Sequence, residues 1–449
     1  MPDAAQALLN LLRRRGVATG RDLCQALSIS QPTLSRLVER SRDELVVLGR
    51  ARSVRYAARD QRSAFAAGLP IYRAREDGRI EGFGTVVPLA NGQTAHLREG
   101  VQPKVFSGLP WFVEELRPDG FLGRLFVKSA PAALQLPPDA RRWTSEQLLR
   151  ALVYGIEDVP GDLLIGRPAF DRHMQRRLGG EPLVARSDYP RLVRAQLAGD
   201  APGSSAAGEQ PKFACVTSSG SLLVKYTPPI SESPAARRWA DLLRCEDLAL
   251  RVLRSHGCAA AQSEYVEHEG RAYLEVVRFD RTVAGRVGVV SGRYVDAELV
   301  GAGAWVPLAE GMAKRRLLAE SDADAVRFAH HFGALIGNTD MHLGNIAFFT
   351  DDYERFRLAP LYDMLPMALR PNAQGELPSS DAPWAHPTPE DAAVWRRAAT
   401  VAITFFERVL EERRLDETVR AFADGRMRRT KVLMDTFGRG EVPARPASC

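Results

Sequence analysis

Hydrophobic residues in the first 60 positions follow a helical period. Leucines at positions 8, 9, 11 and 12 form one apolar face of a predicted first helix, which ends near Gly16. Thr19 is placed to cap a second helix over residues 21–27. Ser30 is placed to cap a third helix, because Pro32 then falls in the first turn, where its missing N–H is harmless. The pattern therefore predicts three short helices in succession.

Two strand-like runs follow the third helix. Residues 44–48 and 53–57 indicate short strands joined by a basic turn. Three helices and a hairpin are the order of a winged helix-turn-helix domain, which we assign to residues 1–60. We expect its outward face to contact DNA, although a dimerisation or regulatory role with solvated arginines is the alternative. The expected DNA-contacting residues are Gln31, Thr33, Ser35, Arg36, Arg40, Arg50 and Arg52.

The remainder of the chain changes from strand patterns to helical patterns. Strands dominate from residue 71, and Asp77-Gly78 is a strong hairpin signal. A helix is predicted over 234–256, and the pattern is mostly helical from Pro307 onward. We predict a linker over 61–70, a β-rich region over 71–290, a helical region over 291–437 and a disordered tail over 438–449.

Composition narrows the class of protein. The chain has 449 residues, of which 45% are hydrophobic and 26% charged, as is usual for globular proteins of several domains. No run of residues has the length and apolarity of a membrane span, and the start lacks the order of a secretory signal. We therefore expect a cytoplasmic protein. None of the five cysteines forms a CxxC pair, which argues against a zinc site or a disulfide framework.

Two segments could serve a bound nucleotide. The Gly- and Ser-rich stretch 203–212 has small residues that let backbone N–H groups approach phosphate oxygens, although a simple linker is the alternative. Lys225 ends an apolar strand and is placed to offer an ammonium group at the edge of a buried sheet, although a surface lysine is the alternative. Glu246, on the following helix, is a candidate partner for Lys225.

The segment 335–349 carries the strongest chemical pattern. Asp340 and Asn345 lie five residues apart on a polar loop between a helix and a strand, which is the spacing of the base and the asparagine in a kinase catalytic loop. Asp363 is expected to end a second apolar strand. A hairpin with its turn at 351–352 would bring Asp363 beside Asn345, and such oxygen ligands suit Mg²⁺. His342 is interpreted either as a phosphate contact or as a packed structural residue.

Five motifs together resemble the HipA family of serine/threonine kinases, the toxin half of HipBA toxin–antitoxin modules. They are GSSAAGEQPK, LLVKY, EVVRFDR, GNTDMHLGN and PLYDML, and the likeness covers residues 71–437. The resemblance implies an α+β, protein-kinase-like bilobal fold, here preceded by the small winged helix-turn-helix domain. It implies a nucleotide-binding lobe within the β-rich region 71–290 and a helical kinase lobe over 291–437. It also implies the cofactors ATP and Mg²⁺ and phosphorylation of a cellular protein to restrain growth.

The resemblance also implies a role for each matching residue. Asp340 matches the catalytic base, Asn345 and Asp363 match the Mg²⁺ ligands, and Ser205 matches the loop serine that is autophosphorylated. The residues that match nucleotide contacts are Ala207, Gly208, Glu209, Gln210, Pro211, Lys212, Lys225, Val277, Arg278, Phe279, His342, Leu343, Gly344, Asn345, Tyr362 and Asp363.

Two departures from the family pattern leave questions open. Gly344 stands where family members often carry a lysine, so one positive charge near the phosphates is missing from the loop. The antitoxin is usually a separate DNA-binding protein, whereas here a helix-turn-helix is fused in front. We expect a protein substrate, for which aminoacyl-tRNA synthetases are a candidate class, with DNA, a HipB-like antitoxin and a second copy of this chain as possible partners. The alternatives are a small-molecule phosphotransferase and a nucleotide-sensing transcriptional regulator.

Overall fold

The computed structural model describes residues 2–50, 53–130, 132–197, 210–372, 375–376 and 388–438. Runs of strands and runs of helices follow one another, and the paired strands of the described sheets are antiparallel, so the α+β class is confirmed. The chain divides into two compact units. The first comprises residues 1–119, 126–181 and 284–286, and the second comprises residues 120–125, 182–283 and 287–449.

The N-terminal part of the first unit has the predicted element order, with one added short strand. Its elements are α1 Pro2–Arg15, β1 Ala18–Thr19, α2 Gly20–Leu27, α3 Gln31–Arg40, β2 Leu45–Leu48 and β3 Arg55–Ala58. The backbone N–H of Asp22 donates to the Thr19 hydroxyl, and that of Thr33 donates to the Ser30 hydroxyl, so both predicted N-caps are confirmed. Strands β1 and β2 both pair antiparallel with β3.

A five-stranded antiparallel sheet follows in the first unit, in the order β7-β6-β5-β4-β8. Its strands are β4 Leu69–Ala74, β5 Ile80–Pro88, β6 Gln93–Leu97, β7 Lys104–Ser107 and β8 Leu163–Ile165. The helices are α4 Trp111–Glu114, α6 Ser145–Tyr154 and α7 Gly166–Gly179, with α5 Gly120–Ser129 contributing residues to both units.

The β2–β3 hairpin and the five-stranded sheet share one hydrophobic cluster. Val46, Leu48 and Ala57 of the hairpin pack with Val87 and Leu89, and Ala95 completes the buried set. The backbone N–H of Asp60 also donates to the carbonyl of Pro88 at 3.0 Å. The N-terminal elements are therefore continuous with the sheet through both packing and backbone hydrogen bonds.

The segment expected to be a linker is packed in this structure. Phe65 is 6% exposed, and the Ser63 hydroxyl donates to a carboxylate oxygen of Glu146 at 2.5 Å. Leu69 and Pro70 already belong to β4. These contacts hold the segment 61–70 against the rest of the first unit.

The second unit contains a four-stranded antiparallel sheet, in the order β11-β12-β10-β9, and a long helix that packs on it. These elements are α8 Tyr189–Leu197, β9 Lys212–Thr217, β10 Gly220–Tyr226, α9 Pro234–Ser255, β11 Ser263–His268 and β12 Arg271–Val277. The helix predicted over 234–256 is observed as α9, which ends one residue earlier.

The rest of the second unit is mostly helical around a small three-stranded sheet, in the order β13-β14-β15. Its elements are β13 Val289–Ser291, α10 Gly292–Val295, α11 Trp305–Lys314, α12 Glu320–Ile336, β14 Ala347–Thr350, β15 Phe356–Leu358, α13 Ala392–Glu411 and α14 Glu417–Gly438. Of the expected disordered tail, Gly438 ends α14, and residues 439–449 lie outside the described residues. None of the helices in the described part of the chain combines the length and apolarity needed to cross a membrane.

We expect Leu89→Ala to lower the free energy of unfolding by about 2–5 kcal/mol, because Leu89 is 1% exposed and its removal leaves a cavity in the shared cluster. Urea unfolding of the full chain measures the change. Val101→Ala is the matched control, since Val101 is 42% exposed and its change should stay within about 0.5 kcal/mol. Equal effects of the two substitutions would contradict the shared core.

Candidate phosphoryl-transfer site

A buried lysine is the centre of the site. Lys225 lies on β10 and is 5% exposed. Its neighbours in the strand, Val224 and Tyr226, are buried as well. Its ammonium nitrogen lies 2.7 Å from both carboxylate oxygens of Glu246, which α9 places opposite. The same nitrogen also forms an ion pair with Asp363. The pairing of Lys225 with Glu246 that the sequence suggested is confirmed as a contact.

The three charges determine one another's protonation. Burial would lower the pKa of Lys225, but the carboxylates of Asp363 and Glu246 outweigh it and raise that pKa. Burial also raises the pKa of Glu246, against the attraction of Lys225. For Asp363, burial would raise the pKa, but the ammonium groups of Lys225 and Lys212 prevail and lower it. Lys225 and Asp363 are therefore both charged near neutral pH.

Asp363 occupies a strained position. Its φ is +53°, in the left-handed region that side chains other than glycine rarely adopt. The amide nitrogen of Asn338 donates to the Asp363 carbonyl at 3.0 Å and helps to hold this conformation. The expectation that Asp363 ends a strand was wrong, because β15 ends at Leu358 and Asp363 lies beyond it in irregular backbone. Strain of this kind often accompanies functional residues.

The predicted catalytic loop is fixed by its own side chains. The amide nitrogen of Asn345 donates to the carbonyl of Asp340 at 2.8 Å, so the amide oxygen of Asn345 is not used in that bond. The backbone N–H of Asp340 donates to the side-chain oxygen of Asn338 at 3.1 Å. Asn338 is 4% exposed. Through its two side-chain hydrogen bonds it connects the Asp340 loop to the Asp363 backbone.

Two aromatic residues anchor the same loop from outside. The indole N–H of the buried Trp305 donates to the carbonyl of His342 at 2.8 Å. The hydroxyl of Tyr362 donates to the carbonyl of Gly344 at 2.9 Å. Because Tyr362 precedes Asp363 in the chain, this bond brings the second aspartate to the 3₁₀ turn Leu343–Asn345. The predicted hairpin of β14 and β15 thus joins the two segments.

The donor set fits a hard divalent cation. One amide oxygen and one carboxylate, with phosphate oxygens completing the shell, is the composition that Mg²⁺ accepts. Among the residues that the structure describes, no group of three or more His, Cys, Asp or Glu residues forms a separate metal site. Asn345 and Asp363 therefore suit a metal that arrives with a nucleotide.

The predicted nucleotide contacts are only partly described. Gln210 donates from its amide to the carbonyl of Tyr226, and the carbonyl of Pro211 accepts from the Tyr226 N–H at 3.0 Å. Lys212 pairs with Lys225 in the register of β9 and β10. Ser205, Ala207, Gly208 and Glu209 lie outside the described residues.

The predicted nucleotide contacts at residues 277–279 lie next to the β14–β15 hairpin. The rings of Phe279 and Tyr362 are 5.8 Å apart, and Phe279 also makes an edge contact with Phe349. Arg278 is held by Asp280 at 3.0 Å, and Val277 is bonded through its backbone N–H to the carbonyl of Gln262. The aromatic rings of Phe279, Phe349 and Tyr362 therefore form an apolar surface next to Asp363.

The candidate DNA-contacting residues lie together on α3 and the hairpin turn. Gln31, Ser35, Arg36, Arg40 and Arg50 are exposed, and Arg52 lies outside the described residues. The hydroxyl of Thr33 is instead engaged with that of Ser30 at 2.9 Å, at the cap of the helix. The side chains of Gln31 and Ser35 also have intramolecular partners, since Gln31 accepts from the Cys24 thiol and Ser35 donates to the Gln31 carbonyl.

Sequence reasoning missed two residues that position this site. Asn338 and Trp305 contact the loop through hydrogen bonds that no local motif announces. The left-handed Gly337 ends α12 immediately before Asn338. A cleft of about 760 Å³ lies elsewhere, around the turn of the β14–β15 hairpin, and none of the predicted site residues lines it.

Comparison with known proteins decides the family. Residues 65–174 match the model of the YjjJ-like toxin middle domain, and residues 204–426 match that of the HipA-like C-terminal domain. The chain is 34% identical over 421 residues to Toxin YjjJ of Escherichia coli strain K12. The matched region covers 91% of this chain and 94% of that protein. The chain belongs to the HipA-like toxin family. The family resemblance that the five motifs indicated is confirmed for this HipA-like toxin.

Two solved structures also match this HipA-like toxin. One is a complex of HipA, HipB and operator DNA from Shewanella oneidensis MR-1, at 14% identity, a TM-score of 0.45, and coverage of 83% of this chain and 97% of that one. The other is the proinflammatory kinase CtkA of Helicobacter pylori, at 11% identity, a TM-score of 0.37, and coverage of 51% and 92%. Neither TM-score reaches 0.5, so the family rests on the sequence matches.

We expect Glu246→Leu to lower the free energy of unfolding by about 1–3 kcal/mol, because the buried Lys225 loses one of its two carboxylate partners and keeps only Asp363. Adding Lys225→Met should recover most of that loss, since no buried charge is then left and the side chain of Asp363, at 24% exposure, can be solvated. Urea unfolding of both variants measures this.

The matched control for that experiment is Glu411→Leu, which breaks an exposed pair with Arg408. The two side chains are 59% and 65% exposed, so the change should stay below about 1 kcal/mol. A double variant as unstable as Glu246→Leu alone would show that the ion pair is not the source of the effect.

Proposed function

We propose that this HipA-like toxin is an ATP- and Mg²⁺-dependent serine/threonine protein kinase. The observation that carries the proposal is the contact between the buried Lys225–Glu246 pair and Asp363, beside a loop that joins Asp340 and Asn345. Phosphoryl transfer requires a cation on the phosphates, metal ligands and a carboxylate near the attacking hydroxyl. Each requirement has a residue in this cluster.

The proposed reaction assigns one task to each residue. Lys225 binds the phosphates of ATP, which replace part of its contact with Asp363. Asn345 and Asp363 would hold Mg²⁺, which would neutralise part of the phosphate charge there. Asp340 accepts the proton from the substrate hydroxyl as the hydroxyl oxygen attacks the γ-phosphorus, and ADP leaves. The Asn345 and Asn338 hydrogen bonds keep the Asp340 loop in place.

A protein hydroxyl is the proposed acceptor. Ser205 of the same chain is one candidate, and a cellular protein whose modification restrains growth is the other. An aminoacyl-tRNA synthetase as substrate and a HipB-like antitoxin are proposals that rest on the family resemblance. A homodimer is proposed because recognition helices usually bind DNA in pairs. A small-molecule phosphotransferase would use the same cluster, and transfer to a metabolite without protein labelling would favour it.

We expect Asp340→Asn and Asp363→Asn each to lower transfer of the γ-phosphate of ATP to protein by at least about 100-fold. The first removes the proton acceptor, and the second removes a metal ligand. Labelling of the purified full chain and of cell extract with γ-labelled ATP measures transfer, and growth after induction measures toxicity.

Asp351→Asn is the matched control for these variants, because Asp351 is exposed in the turn of the same hairpin and outside the cluster. It should transfer phosphate at the wild-type rate. Full labelling by the Asp340→Asn variant would rule out the proposed base, and binding of ATP without any transfer by wild type would favour a nucleotide sensor.

DNA binding is the second proposed activity, favoured by the basic face of α3. Arg36 and Arg40 lie one helical turn apart, and within the described residues neither takes part in an ion pair. Exposed arginines on the third helix of such a domain can contact phosphates or guanine edges. We therefore propose that the N-terminal elements bind duplex DNA.

Replacing both Arg36 and Arg40 by Ala should weaken DNA binding by roughly 10-fold or more and reduce the slope of log K against log salt by about 2. Fluorescence anisotropy with duplexes at several salt concentrations measures both. The control is Arg413→Ala with Arg414→Ala, which removes the same charge from an exposed site in the second unit. An unchanged salt slope in the Arg36 and Arg40 variant would exclude this face.

A further inference from the structure

A cation from outside the catalytic loop lies over that loop. Arg293 belongs to α10, the short helix that follows β13. A β-carbon added at Gly344 would stand 3.1 Å from a terminal guanidinium nitrogen of Arg293. Gly344 immediately precedes Asn345, so the guanidinium group lies beside the residue that leads into a predicted metal ligand.

Two glycines make this approach possible. The backbone N–H of Gly292 donates to the carbonyl of Ile346 at 2.7 Å. A β-carbon on Gly292 would lie 2.7 Å from the side chain of Ile346 and 3.0 Å from the carbonyl oxygen of Leu343. A β-carbon on Gly344 would also lie within 3.0 Å of the His342 ring. Side chains at these positions would therefore displace α10 or the loop.

The element that carries Arg293 is held at both ends. Before it, Ser291 pairs with Ala347 in the register of β13 and β14. After it, the turn Asp296–Val300 has a π-helical hydrogen-bond pattern, and the buried Asp296 carboxylate accepts from the N–H groups of Ala302 and Gly303 at 2.7 and 2.9 Å. The backbone below Arg293 is thus fixed relative to the loop, while its side chain remains exposed.

The carboxylates around Lys225 favour a second cation near the catalytic loop. The single charge of Lys225 is shared between the carboxylates of Glu246 and Asp363. A terminal phosphate would add further negative charge, which preorganised cations stabilise during transfer. Arginine suits this task because its planar guanidinium group can donate two hydrogen bonds to one phosphate group.

We propose that Arg293 binds the terminal phosphate of the nucleotide and orients it toward Asp340. The proposal rests on the proposed kinase function. Contact with the terminal phosphate has a specific consequence, because ADP lacks that group. Loss of Arg293 therefore affects ATP more than ADP, whereas a purely structural role in the loop affects both equally.

The test uses the purified full chain with Mg²⁺ and compares wild type, Arg293→Gln and Arg293→Lys. Calorimetry gives the affinities for ATP and ADP, and labelling gives the rate of transfer. For Arg293→Gln we expect ATP to bind roughly 10-fold more weakly, ADP to stay within about twofold, and transfer at saturating ATP to fall at least roughly 10-fold. Arg293→Lys retains the charge, so it should recover part of the ATP affinity.

Arg315→Ala is the matched control, because Arg315 is exposed at the end of α11 and away from the catalytic loop. It should leave both affinities and the transfer rate unchanged. Unchanged ATP affinity in Arg293→Gln, or an equal loss for ATP and ADP, overturns the role of Arg293. Absence of ATP binding or transfer in wild type instead overturns the kinase function on which that role depends.

Discussion

The ion pair between Lys225 and Glu246 is the constraint on which the site depends. Both side chains are buried, and an isolated charge at either position would be strongly unfavourable. Sheet and helix must therefore pack so that β10 and α9 present the two groups to each other. Asp363 shares the same ammonium group, so the hairpin segment is tied to this contact as well. A single interaction thus aligns three separate parts of the second unit.

The strain at Asp363 has a cause in this arrangement. Its left-handed backbone is held by Asn338, while its carboxylate is held by Lys225. Asn338 also bonds the backbone of Asp340, so one buried amide sets the spacing between the two aspartates. Preorganisation of this kind places charged groups before substrate arrives, which is where electrostatic catalysis gains most.

Local signals made much of this structure predictable. The caps at Thr19 and Ser30 and the strand that ends near Lys225 depend on neighbouring residues, and the structure has them as expected. The left-handed backbone of Asp363 and the position of Arg293 next to Gly344 depend on residues distant in sequence. A hydrophobic pattern along the chain cannot predict such contacts. The motifs indicated the family correctly, whereas the roles of the site residues remain hypotheses.

The shared cluster of the hairpin and the five-stranded sheet limits how this gene product can be divided. Val87, Leu89 and Ala95 pack against apolar side chains of the β2–β3 hairpin. A polypeptide made from an internal start after residue 60 would leave these side chains facing water, and exposed apolar patches of this kind favour aggregation. The two N-terminal modules can therefore be exchanged between proteins only as a pair.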